Sequence, residues 1–317
     1  METNSSNQNS SAINDNNDHQ AEHRISSHAN KNQKKKLLLF IRRLIKKITH
    51  KHPAVGVLRL SGIIATSGGF GKQSLNLDDL DETIEKTFNI SKLKAIALQI
   101  NSPGGSPVQT ELIYRRIRHL AEEKKVPVYT FAEDVAASGG YWLACAGDEI
   151  YVSENSLIGS IGVVSGGFGF TDAIKKMGIE RRIYAQGKNK AILDPFREER
   201  AEDVKILTSA QKDVHESFIN LVKSRRGKKL KIEEEDRLFS GEFWSGKKAI
   251  ELGLADGSAD MYSFIQAKYG KNIKFVKTMK PKNWLKRKLG IESFVYGIGQ
   301  SLVNAIVEKI TWERFGL

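Results

Sequence analysis

From Pro53 onward, short apolar runs alternate with stretches whose apolar residues recur at helical spacing, and this alternation restricts the fold more than any other feature. Residues 55–60 and 94–100 are predicted as buried strands. Between them Leu77, Leu80, Ile84 and Phe88 share one helical face, and after the second run Leu112, Ile113, Ile117 and Leu120 do the same. Further strands are predicted at 128–132, 149–152 and 157–164, then helices over 198–225, 245–252 and 259–269. Parallel strands need crossover connections, which helices supply, so the pattern predicts an α/β domain of βαβ units around a mainly parallel sheet. Its predicted limits are residues 53–280. There is no internal repeat.

The flanks differ in kind. Residues 1–33 are rich in Asn, Ser, Asp and His and almost lack large apolar side chains, so they are predicted as a disordered polar tail. Residues 34–52 place Leu37, Phe40, Ile41, Leu44, Ile45 and Ile48 on one helical face and Lys or Arg on the other. This basic amphipathic helix suits an anionic membrane surface, the alternative being a helix packed on the core or a partner. Residues 281–317 carry Ile291, Phe294, Val295, Ile298, Leu302, Ile306 and Ile310 at helical spacing. That amphipathic extension would cover an oligomer interface or touch the membrane.

Charge follows the same division. The net +13 includes eight Lys/Arg and no acid over 34–51, and nine and no acid over 268–288. With those 17 of the 50 bases set aside, 33 bases face 37 acids, so the central domain is mildly acidic. A nucleic-acid-binding core would carry its own basic face, and no nucleic-acid partner is expected. The apolar run over 37–41 is far short of the roughly 20 residues a membrane span needs, and it has no uncharged signal-peptide core. A peripherally membrane-associated, cytoplasmic protein is therefore expected. The single Cys145 forms no intramolecular disulfide and no cysteine-based zinc site.

Two turns carry the candidate chemistry. Asn101-Ser102-Pro103-Gly104-Gly105 leaves a predicted strand and enters a helix, where free backbone N–H groups suit a developing oxyanion. One βα unit later, Asp134-Val135-Ala136-Ala137-Ser138-Gly139-Gly140-Tyr141 places a serine among small residues at another helix start. Its competing role is that of a simple N-cap. A serine nucleophile needs a base. Of the seven histidines, five lie in the flanks or at the domain edge, and His119 and His215 fall within predicted helices as surface or satisfied residues. No HExxH motif supports metal hydrolysis. A lysine remains, provided burial lowers its pKa from about 10.4 towards 7–8.

Asn101-Ser-Pro-Gly-Gly105, Ala137-Ser138-Gly-Gly-Tyr-Trp142, Gly159-Ser-Ile-Gly-Val163 and Gly187-Lys188-Asn189-Lys190, followed by Asp194-Pro195-Phe196, together resemble the signal peptide peptidase A family of Ser-Lys peptidases. The resemblance covers roughly residues 54–280. It implies a Clp protease/crotonase-like fold and a serine endopeptidase without cofactor or metal. It assigns Ser138 as nucleophile, Lys190 as general base, Ser160 as the hydroxyl that orients the lysine, and the N–H groups of Gly105 and Gly139 as the oxyanion hole. Lys190 rather than Lys188 keeps register with Asp194-Pro195-Phe196. Longer relatives hold two copies of the domain and shorter ones assemble rings, so the implied partners are further copies of the chain and extended hydrophobic peptides such as cleaved signal peptides. The competing readings are a crotonase-like acyl-CoA enzyme and a non-catalytic membrane scaffold.

Overall fold

The structure, a computed structural model, describes residues 52–66 and 74–278 together with Trp312 and Phe315. The tail predicted over 1–33, the basic helix over 34–52 except its last residue, and the extension over 281–317 except those two aromatics lie outside the described residues. The described elements are β1 (Ala54–Ser61), α1 (Leu77–Phe88), β2 (Leu93–Ser102), α2 (Pro107–Lys124), β3 (Val128–Ala137), α3 (Gly139–Ala144), β4 (Glu149–Val152) and β5 (Leu157–Gly159). They continue with α4 (Thr171–Lys176), α5 (Ala201–Arg226), α6 (Glu235–Leu238), β6 (Phe243–Ser245), α7 (Gly246–Glu251), β7 (Gly257–Ser258), α8 (Met261–Tyr269) and β8 (Lys274–Lys277).

The eight strands form one sheet in the order β6-β5-β3-β2-β1-β8, with β4 beside β3 and β7 beside β4. Every pairing is parallel except β5 with β6. Parallel strands are buried on both faces, which explains their continuous apolar runs. Leu58, Leu60, Leu98 and Ile100 face α1, α2, α3 and α5, while Val55, Val57, Ala95 and Ala97 face Met261 and Ile265 of α8. This is the α/β architecture that the alternation predicts.

β3 places the candidate serine. Its first half pairs with β4, through Tyr129, Thr130 and Phe131, and its last three residues pair with β5. Against β2 its register shifts between Ile100 and Ser102. The Asn101 side chain fills this irregularity: its Nδ2 donates to Asp134 Oδ2 at 2.7 Å and its Oδ1 accepts from Val135 N–H at 3.2 Å.

Two predicted strands differ in extent, and the one expected over 128–132 runs on to Ala137. The strand expected over 157–164 ends at Gly159, because Gly159 (φ +112°) and Ser160 (φ +51°) turn the chain out of the sheet and Ser160 N–H bonds Glu242 O. From Gly162 to Glu202 no residue is buried, although Val164, Phe168, Met177 and Tyr184 are all more than 70% exposed. This stretch forms an arm whose apolar surface is uncovered among the described residues.

An ion pair between buried Arg226 and partly buried Asp256 joins α5 to the sheet. Arg226 Nη1 lies 2.7 Å from Asp256 Oδ2, and the carboxylate also accepts from Lys229 Nζ at 2.6 Å and from Ile150 N–H at 2.7 Å. Burial alone would raise the Asp256 carboxyl pKa, but these bonds outweigh it and hold the carboxyl below its ordinary range. A depressed folded value means that this contribution is full above the unfolded pKa of about 3.9 and is lost as pH falls below it. Arg226→Met leaves a partly buried carboxylate with Lys229 still beside it, so the expected loss sits at the lower end for such pairs, about 3 kcal/mol. At this domain size, thermal unfolding should then show a Tm lower by roughly 10 °C.

Cys145 is fully buried beside Tyr141, and burial pushes its thiol up to about 12.

Candidate active site

Ser138 directly follows β3 in a strained conformation, φ 52° and ψ −124°, which a side-chain-bearing residue rarely adopts. Hydrogen bonds hold it from both sides: its N–H donates to Gly159 O at 2.8 Å, and its carbonyl accepts from Tyr141 and Trp142 N–H at 2.9 and 3.0 Å. The following helix is anchored in turn, since Tyr141 Oη donates to Leu254 O at 2.8 Å and Trp142 stacks on Phe218 of α5. Ser138 occupies the N-cap position of α3, yet its side chain makes no capping bond. Ser106 and Ser245 do cap their helices, each accepting from a backbone N–H. The two roles left open for Ser138 in sequence thus separate: its hydroxyl is not consumed by the helix.

The first Gly-Gly turn lies directly against this serine. Ile64 N–H donates to Gly104 O and Ser106 N–H donates to Ile64 O, a parallel bridge that leaves the Gly105 N–H facing away from Ile64. Gly104 (φ +103°) closes the gap between the turns, because a Cβ there would sit 2.7 Å from Gly139 N and 2.8 Å from Ser138 Cβ. A Cβ on Gly140 would strike the carbonyl of Ser102. Gly139 is the first residue of α3, so its N–H has no partner within the helix. The Gly104 backbone and the Gly139 N–H therefore border Ser138, and backbone N–H groups beside a serine are what stabilising an oxyanion on an acyl carbon requires.

Ser138 lines a cavity of about 350 Å³ with Ser160, Gly162, Val163, Val164 and His215. Ser160 is buried and strained, so the structure brings it to the same pocket as the serine. Lys190 is placed elsewhere: it is exposed on the arm, its N–H bonded to Gly187 O, and it is not among the residues lining that cavity. A larger cavity of about 620 Å³ on the arm is lined by 165–170, Ala191 and Leu193 among others. His215, read from sequence as a surface or satisfied helical residue, is satisfied by Ile161 O at 3.2 Å but also forms part of the Ser138 pocket. Helical periodicity places a residue on a face and is silent about what that face meets.

Residues 120–269, which span Ser138, Ser160 and Lys190, match the profile of peptidase family S49. This domain belongs to peptidase family S49. Its mainly parallel sheet with helices on both faces is the Clp protease/crotonase-like fold that the resemblance implied. The S49 domain is similar to a putative signal peptide peptidase SppA of Enterococcus faecium, at 28% identity over 63% of this chain and 58% of that protein. It is also similar to a chloroplastic serine protease SPPA of Arabidopsis thaliana, at 29% identity over 78% of this chain and 36% of that protein. A Brucella melitensis protein named Na(+)/H(+) antiporter NhaA is 45% identical over 83% of this chain but only 37% of its own length. Its name covers a protein most of which lies outside the match, and among the described residues of the S49 domain no helix is long and apolar enough to cross a membrane. The chain thus spans less than two thirds of the length of each of these relatives.

Proposed function

We propose that the S49 domain is a serine endopeptidase in which Ser138 is the nucleophile and Lys190 of a neighbouring copy is its base. The observation that carries this reading is the Ser138 hydroxyl: it sits at a strained strand-to-helix turn, is not used as a cap, and is bordered by two Gly-Gly turns. Neutral Lys190 accepts the Ser138 proton, and Oγ attacks a peptide carbonyl. The Gly105 and Gly139 N–H groups hold the tetrahedral oxyanion. The protonated lysine then supplies the proton to the leaving amine, and water releases the acyl group by the same route in reverse order. Ser160, in the same pocket, orients the lysine by hydrogen bonding.

The neighbouring copy is supported by the arm. Lys190 is exposed there, and the apolar side chains beside it have no cover among the described residues. A ring of copies would bury them and carry the lysine into the adjacent serine pocket, where desolvation favours the neutral amine. The irregular, extended segment after Gly159 suits pairing with a stretched peptide, and Val163 and Val164 suit apolar side chains. Cleaved signal peptides or other extended hydrophobic segments fit this description. The basic amphipathic pattern over 34–52 would hold the enzyme at an anionic membrane surface.

A fluorophosphonate probe followed by peptide mapping tests the nucleophile. Modification is expected at Ser138 alone, and a probe that modifies another serine instead would remove the proposed mechanism. Gly104→Ala tests the junction of the two turns. The added methyl must push the Asn101 loop away from Ser138, and misplacement of about 1 Å in such a site costs on the order of 100-fold. The rate of probe labelling should fall by about that factor.

A further inference from the structure

Beyond the dyad, the geometry points to His215 as the residue that sets the register of a peptide in the Ser138 pocket, an inference that rests on the peptidase reading above. The backbone leaving β5 is tied down in three consecutive places. Gly159 O accepts from Ser138 N–H, Ser160 N–H donates to Glu242 O, and Ile161 O lies 3.2 Å from His215 Nε2. A carbonyl can only accept, so Nε2 carries the hydrogen. After Ile161, among the described residues, no backbone hydrogen bond joins positions 162–169 to the rest of the chain. Ile161 O is therefore the last backbone carbonyl held by a partner before this open stretch, while among the described residues Ser160 O and Ile161 N–H make no backbone bond.

An extended peptide pairs through alternate residues, so registers that keep the same side chains facing the pocket differ by two residues. A free Ile161 carbonyl would offer a peptide N–H one additional site and admit a competing register. His215 occupies that carbonyl. It comes from α5 and lines the same cavity as Ser138, Ser160 and Val163. Its role is to position the binding edge, and the reacting atoms are left to Ser138 and the lysine.

The test uses the full chain and one extended peptide that the wild type cuts predominantly at a single bond, with products read by mass spectrometry. His215→Leu removes the donor, and His215→Asn is too short to reach Ile161 O while remaining polar, which covers the case in which leucine disturbs the fold. His215→Gln places an amide N–H near the Nε2 position. In the leucine and asparagine variants a second product is expected, displaced by two residues, with the ratio of the two cuts moved by roughly fivefold for loss of one hydrogen bond. The glutamine variant should return the single cut. Fluorophosphonate labelling of Ser138 in the same samples reports whether the nucleophile is in place. Folded leucine and asparagine variants that cut only the wild-type bond would overturn the inference. Loss of labelling in those folded variants would also overturn it, since His215 would then act on the serine itself. A wild type that neither labels nor cuts defeats the peptidase reading, and the register with it.

Discussion

Ser138→Ala is expected to remove peptide hydrolysis while leaving thermal unfolding almost unchanged. The two halves of this result come from different observations. The hydroxyl makes no capping bond to α3, so deleting it leaves no helix N–H newly unpaired. Alanine inherits the same φ of 52° with the same Cβ, so the strain at this turn is carried over rather than increased. The Ser138 N–H to Gly159 O bond and the Tyr141 and Trp142 bonds are backbone bonds and survive. The chemistry has no such reserve: without Oγ no acyl-enzyme forms, and loss of a serine nucleophile costs roughly 10⁴-fold or more in kcat. Wild-type turnover of a hydrophobic peptide by this variant would refute the peptidase reading and favour the acyl-CoA alternative, which does not need the serine.

The second large effect is a recovery. Ser138→Ala and Lys190→Ala should each be inactive alone, yet co-assembled subunits should regain activity. An interface works when it joins an intact serine from one subunit to an intact lysine from the next. With random mixing of equal amounts that is roughly one interface in four. The expectation follows from Lys190 being exposed on the arm and absent from the walls of the Ser138 cavity of its own chain. If native mass spectrometry shows mixed assemblies and no turnover returns, serine and lysine must meet within one chain. The arm would then have to fold back over its own pocket.

Much of the fold was legible because parallel strands are apolar on both faces. The prediction over 149–152 coincides with β4, and those over 55–60 and 94–100 fall within one or two residues of β1 and β2. The helix after β2 was read correctly as an element, although Leu112 of its expected apolar stripe is 39% exposed while Thr110 is buried. What failed was the end of β3, which runs to Ala137 instead of 132, and the end of β5. The run over 157–164 is apolar enough for one strand, but the turn out of the sheet depends on left-handed backbone at Gly159 and Ser160, and nothing in local composition marks a serine for that conformation. The short strands β6, β7 and β8 also escaped, since two to four residues carry no period of their own. At the site, motif order indicated Ser138, Ser160, Gly105 and Gly139, and the structure gathers the first two in one cavity and presses the Gly104-Gly105 turn onto the serine turn. His215 escaped because its importance comes from a carbonyl 54 positions away in sequence.

The sealed state of Cys145 has a practical consequence. Because the only sulfhydryl of the chain is inside the core and its ionisation is suppressed by burial, maleimides and disulfide reagents should find nothing to react with on the folded protein. No cysteine-free background therefore has to be built before spectroscopy. A single Ser138→Cys replacement introduces one thiol in the wall of the Ser138 cavity, and a spin label or fluorophore attached there would report whether a second copy closes over the pocket, as the proposed shared site requires.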